Sequence, residues 1–255
     1  RPVRFRHVAL LARVLLPAAW LVLPALAAAQ AAPAVSTIVA YNASFPQSPP
    51  VLGTDGALYG TTSASSSVTG GLIYRTTVDG SDVRTIHQLA ITDGYQPQGG
   101  LLLRADGRFY GTTRLGDVNQ ASTTGTIFSL AQDGTGYTTL HRFAAFTSRN
   151  IELGPINTDG AYPESALVDG SDGFLYGVTR NGGPNGTGVV YKISPDGTGF
   201  QVLHAFSAIT SDEDSTFLEN ADGASPLGGV IEGADDYFYG VTYEGGANGR
   251  GTIYR

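Results

Sequence analysis

Asp106-Gly107-Arg108-Phe109-Tyr110-Gly111-Thr112-Thr113 is the stretch on which the fold turns. Asp-Gly is a tight-turn pair, and the run behind it is aromatic and β-branched, the composition of a strand that leaves a hairpin. The same string returns around Tyr59, Tyr176 and Tyr239, each followed by Gly and by Thr or Val. An Asp stands four residues before every one of these tyrosines, at Asp55, Asp106, Asp172 and Asp235. Outward from that anchor the pattern continues. Apolar-aromatic runs open at Gly71, Gly125, Gly188 and Gly251; a second Asp-Gly follows at Asp79, Asp133 and Asp196; and a His lies eight residues further on at His87, His141 and His204. A third Asp-Gly, at Asp93, Asp159 and Asp222, precedes Pro97, Pro163 and Pro226 by four residues and leads into the next unit. The repeat lengths are 51, 66 and 63 residues.

Length changes are confined to two connections per unit, from the Tyr to the following Gly and from the His to the third Asp-Gly. The constant pieces of the second unit read as four strands: Leu101 to Arg104, Arg108 to Thr113, Gly125 to Leu130 and Tyr137 to Phe143. Short Asp-Gly links make the unit an antiparallel meander. Four-stranded units of about 50 to 65 residues are the blades of a β-propeller, so the fold class predicted is all-β, with four recognisable units over 51–255, the last cut short. Residues 32–50 read as a leading segment or a partial first repeat. A chain that starts with Arg and stops within a unit is expected to be a fragment at both ends, with an open, aggregation-prone edge.

Thirty-five glycines in 255 residues and only 15% charged residues fit a turn-rich β protein. Residues 1–31 differ: Arg1, Arg4 and Arg6 precede an apolar run that ends in Ala29-Gln30-Ala31, the layout of a secretory signal peptide. Removing them leaves 11 basic against 22 acidic residues, which argues against nucleic acid as a partner. Cysteine is absent, so thiolate chemistry and disulfide frameworks are excluded, and Lys192 is the only lysine.

The string at Asp106, the stretch Asn181-Gly-Gly-Pro-Asn-Gly-Thr-Gly188, the run Val189-Val-Tyr-Lys192, Asp196-Gly-Thr and Leu203-His-Ala-Phe206 resemble the GloVer tandem repeat over about residues 51–255. The resemblance implies an exported or surface-attached bacterial protein, β-propeller-like, with no established activity and no catalytic residues to carry over. No anchor is seen here, although family members carry varied C-terminal anchors. Any membrane association is expected only through the leader or through such an anchor.

In an up-and-down meander, connections one-two and three-four lie at one end of the blade, and two-three and four-to-next at the other. The variable connections therefore share a face, where loops on a fixed scaffold carry binding. The ligand-face candidates are Arg114, Asp117, Asn181, Asn185, Asp212, Asp214, Glu244, Asn248 and Arg250, with long connections at 144–158 and 207–221. The three repeat histidines fall on successive blades and read as packing or turn-bonding groups rather than metal ligands. The acids at 212–214 lack the spacing of an EF-hand calcium loop and read as a solvated loop. No cofactor motif appears. The leading expectation is a non-enzymatic exported protein that binds a glycan, peptide or surface component through the variable face. The alternatives are a structural surface protein without ligand and an exported hydrolase or lyase with polar residues at the axis.

Overall fold

A computed structural model describes residues 37–38, 44–64, 70–117, 124–150, 154–210 and 218–255. The signal-peptide reading lies outside these residues, as do Asp212 and Asp214. Thr37–Arg255 is one compact unit. Its strands form four small antiparallel sheets arranged as the blades of a β-propeller, with no helix among the described residues.

The first sheet contains β1 (Ser44–Pro46), β2 (Val51–Leu52), β3 (Leu58–Ala64), β4 (Leu72–Thr76) and β5 (Val83–Gln88). The second has β6 (Leu102–Leu103), β7 (Arg108–Thr113), β8 (Thr126–Ala131) and β9 (Thr138–Arg142). A small hairpin, β10 (Ser148–Asn150) and β11 (Gly154–Ile156), stands in the connection to the third. That sheet is β12 (Val168–Asp169), β13 (Leu175–Thr179), β14 (Val189–Ile193) and β15 (Gln201–Ala205), and the fourth is β16 (Ala224–Glu232), β17 (Phe238–Glu244) and β18 (Ile253–Tyr254). The unit expected to be cut short thus forms its third strand, Ile253–Tyr254. The first blade also takes in Ser44–Pro46, with Pro46 in the place of Pro97, Pro163 and Pro226.

The Asp-x-x-x-Tyr spacing acts as a clasp. The Tyr hydroxyl donates to the Asp Oδ2 at 3.0, 2.7, 2.7 and 2.5 Å in the four units, while Oδ1 accepts the backbone N–H two residues on. One carboxylate thereby closes the hairpin turn and anchors the first residue pair of the strand. Burial, reinforced by the Asp106 bond, pushes the Tyr110 phenol up to about 12, and Tyr176 likewise. The Gly after each Tyr is a space requirement: a Cβ on Gly111 would stand 2.6 Å from Cζ of Phe128 on the neighbouring strand.

In the second and third blades the sheets are packed on both faces, so the middle strands are buried almost throughout rather than alternately; Ile127, Phe128 and Leu130 are all inaccessible. Tyr59 meets Phe109 at 4.7 Å between the first two blades, and Tyr176 meets Phe238 at 3.9 Å between the last two. The first strands are innermost: a Cβ on Gly100 would contact Ser48 and Ala166, residues of the blades on either side. Where blades join, Gln96, Tyr162 and Ser225 hold positive φ angles of 58, 60 and 54° immediately before the prolines. A left-handed non-Gly residue costs about 1–3 kcal/mol. It is held because each N–H is donated to the preceding blade, to the carbonyls of Gly70, Thr124 and Thr187 at 3.0, 2.8 and 2.9 Å.

Two of the three repeat histidines bond turns, and His87 packs instead. His141 and His204 lie 3.0 and 2.7 Å from Asp159 and Asp222, which also accept the backbone N–H of Ala144 and Ser207. Burial lowers the His87 pKa, and its ring stacks on Tyr137 at 4.6 Å. Two asparagines missed in the sequence complete these joints. Buried Asn157 donates to the carbonyls of Ala144 and Gly160 and accepts from the N–H groups of Gly160 and Gly183; Asn220 does the same with Ser207, Gly223 and Gly246. Their signal was an Asn two residues before the third Asp-Gly, present only in the units with long connections.

Candidate functional site

The two variable connections meet at one end of each blade. Tyr95 bridges to Leu115 and Ala161 to Asn181, joining the connection that enters a blade to the one between its second and third strands. At the opposite end the tight turns touch one another, Thr54 with Gln132 and Ser171 with Glu232.

At the inner rim of the variable end, Arg114 leaves β7 and places its Nε 2.6 Å from Oε1 of Glu164 in the next blade. Its Nη1 is 3.3 Å from Gln96 Oε1, and its guanidinium lies 4.8 Å over the Tyr162 ring. Arg180 Nη1 stands 3.6 Å from the other oxygen of Glu164. The side chains of Arg114, Glu164 and Arg180 are 29%, 15% and 39% exposed, so the cluster is partly desolvated yet open to a ligand. Two guanidiniums against one carboxylate leave one positive charge in surplus, in a chain of net charge −7. Stacking and a bidentate fork suit Arg to fixing a planar anionic group.

Arg114 and Arg180 occupy the same repeat position, four residues after the clasp Tyr, where the first and fourth units have Ser63 and Tyr243. In the first and third units the residue after the proline is its partner: Gln47 donates to Ser63 Oγ at 3.3 Å, and Glu164 serves Arg180 as well as Arg114 of the preceding blade. Comparing these two positions across the units is the signal that points to Glu164 and Arg180, whereas Gln96 and Tyr162, at the position before the prolines, carry no such signal.

The other sequence candidates among the described residues do not join this cluster. Asp117 borders a small recess with Thr124, Arg142 and Phe143. Asn181 is held in its bridge with Ala161, and the Asn185 amide donates to the Phe206 carbonyl at 2.8 Å, tying its loop to the end of β15. Glu244 ends β17, and Asn248 and Arg250 are exposed in the last loop. Among the described residues no three His, Asp or Glu side chains converge as metal ligands. A cavity of about 480 Å³ lies at the tight-turn end, between the first two blades, lined by Thr54, Tyr59, Arg75, Ile86 and Gln132. There the Arg75 guanidinium holds the Asp55 carboxyl below its usual range, outweighing burial, which works the other way.

No curated protein matches the chain. Among solved structures, an ulvanlyase of polysaccharide lyase family PL25, bound to -[GlcA(1-4)Rha3S]-, aligns at 12% identity with a TM-score of 0.51, over 80% of this chain and 48% of that one. A second structure of a PL25 ulvanlyase aligns at 14% identity and a TM-score of 0.51, over 84% and 52%. A gluconolactonase from Xanthomonas campestris aligns at 13% identity and a TM-score of 0.36, over 85% and 88%. The chain thus spans about half the length of the lyases whose fold it shares. The profile of the Gloeobacter/Verrucomicrobia repeat matches residues 27–218, most of the chain and three of its four blades, and the chain belongs to that repeat family.

Proposed function

We propose that this protein is an exported, non-enzymatic binding module whose variable face takes an acidic extracellular ligand, a glycan carrying carboxylate or sulfate groups. The observation that carries this reading is the Arg114–Glu164–Arg180 cluster at the inner rim, set in a half-buried place on an otherwise acidic chain. Burying two arginines beside one carboxylate is costly for stability alone and is offset when an anion completes the charge balance. The loops around it supply the adaptable part of the face.

The test is titration calorimetry against a polyuronate, a sulfated polysaccharide and a neutral glucan, repeated with Arg114→Ala/Arg180→Ala and with Glu164→Gln. Binding of the acidic polymers alone, weakened about tenfold or more by the double variant and tightened by Glu164→Gln, is the expected result. Melting curves of the variants separate lost binding from lost folding. Equal binding of the neutral glucan, or acidic binding that survives the double variant, would overturn the reading. Export is tested by N-terminal mass analysis of secreted protein, expected to begin near residue 32.

A further inference from the structure

Arg114 and Arg180 share a repeat position, but the joints in which they stand are built differently. Arg114 follows β7, and the next blade sets Tyr162 before its proline and Glu164 after it. Arg180 follows β13, and in the next blade the same two places hold Ser225 and Leu227. Neither offers a ring or a carboxylate to a guanidinium.

The two side chains are accordingly engaged to different degrees. Arg114 is held by three groups: Glu164 Oε1 at 2.6 Å from its Nε, Gln96 Oε1 at 3.3 Å from its Nη1, and the Tyr162 ring, whose centroid is 4.8 Å away. Arg180 has a fixed backbone, with its N–H donated to the Tyr162 carbonyl at 3.1 Å, but a less committed head. Its one ion pair among the described residues is with Glu164 Oε2 at 3.6 Å, longer than a hydrogen bond, and its side chain is the more exposed of the two. Glu164 is thus shared unequally, one oxygen bound closely to Arg114 and the other only facing Arg180.

Resting on the binding reading above, we infer that Arg180 makes the contact with the ligand's acidic group, and that Arg114, clamped by Gln96 and Tyr162, is a positioning residue that keeps Glu164 from closing on Arg180. A guanidinium carries five N–H donors in a planar fork that suits the two oxygens of a carboxylate. Those of Arg180 are the donors left for a ligand at this joint, so the joint takes one acidic group rather than a pair. Arg114 acts through Glu164. Without it that carboxylate becomes the nearest acceptor for Arg180 and repels an incoming anion.

The test is titration calorimetry of the full chain with polygalacturonate, for the wild type, Arg180→Gln, Arg180→Lys, Arg114→Gln and the last two glutamine changes of the joint combined, Arg114→Gln/Glu164→Gln. Circular dichroism melts show whether each variant is folded. Arg180→Gln is expected to weaken binding about tenfold or more, with Arg180→Lys between it and the wild type because it keeps the charge without the fork. Arg114→Gln is expected to weaken binding several-fold, and adding Glu164→Gln should restore it to within about twofold of the wild type, a rescue that a merely structural role for Arg114 would not give. Unchanged binding by a folded Arg180→Gln, or a loss in Arg114→Gln that Glu164→Gln does not repair, would overturn this division of roles while leaving acidic binding standing. A wild type that does not bind the polymer would overturn the binding reading and this inference with it.

Discussion

Gly111→Ala adds one methyl group at the centre of the second blade, and its cost can be worked from the structure. The new Cβ would lie 2.6 Å from Phe128 Cζ and 3.1 Å from Cε1 and Cε2, against the 3.5–4.0 Å at which carbon atoms rest. The Phe128 ring is inaccessible and backed by Tyr137, 5.3 Å away, so it has little room to retreat. Overpacking of this kind costs about 1–3 kcal/mol, and the overlap of nearly an ångström puts this site toward the upper end. Against it stands about 0.4–1 kcal/mol gained because alanine restricts the unfolded chain. The net expectation is a loss of about 2 kcal/mol. Urea unfolding followed by tyrosine fluorescence measures it as a shift in midpoint at constant slope. Because the clash is with the ring, repeating the substitution in Phe128→Leu should reduce its cost below about 0.5 kcal/mol, a coupling typical of residues in contact. A neutral Gly111→Ala, or an equal cost in both backgrounds, would refute the steric account of the Tyr-Gly motif.

Asn157→Ala removes four hydrogen bonds at a buried joint and should cost about 3 kcal/mol, with Asn157→Asp intermediate because it keeps both acceptor contacts; chemical denaturation reads both. The tyrosine clasps predict an alkaline limit. Folded phenols at Tyr110 and Tyr176 titrate near 12 rather than 10, so the stability they confer is complete below pH 10 and is lost as pH rises toward 12. Absorbance at 295 nm should then show delayed tyrosines whose step shrinks in Tyr110→Phe/Tyr176→Phe; one transition near pH 10 for all 13 tyrosines would contradict this.

The fold was legible because its determinants are local. Asp106 and Tyr110 are four residues apart, and the turn that joins them is set by the Asp-Gly between. Repetition then multiplied a weak signal by four. The candidate cluster has the opposite character: Arg114 and Glu164 are 50 residues apart and meet only because blades pack in sequence order. Arg114 is found from its place in a variable connection, whereas Glu164, next to a repeated proline, lies outside both variable connections. The place of Ile38 escaped for another reason: the sequence around it lacks the His and the Asp-Gly by which the fourth strands are recognised, and only the contact with Gly80 reveals it.

The joints built on Asp159 and Asp222 have a consequence for how this surface can change. Each carboxylate accepts the N–H of the residue that opens the long connection, Ala144 or Ser207, and the neighbouring Asn ties the same opening residue to the exit. Entrance and exit are thus stitched together at the root, by groups that belong to the framework. What lies between can be exchanged as a cassette, because doubling the length of a loop closed in this way adds only about 0.6 kcal/mol. The scaffold works as a rack of interchangeable loops, in which a connection can be replaced at one blade without retuning the packing of its neighbours.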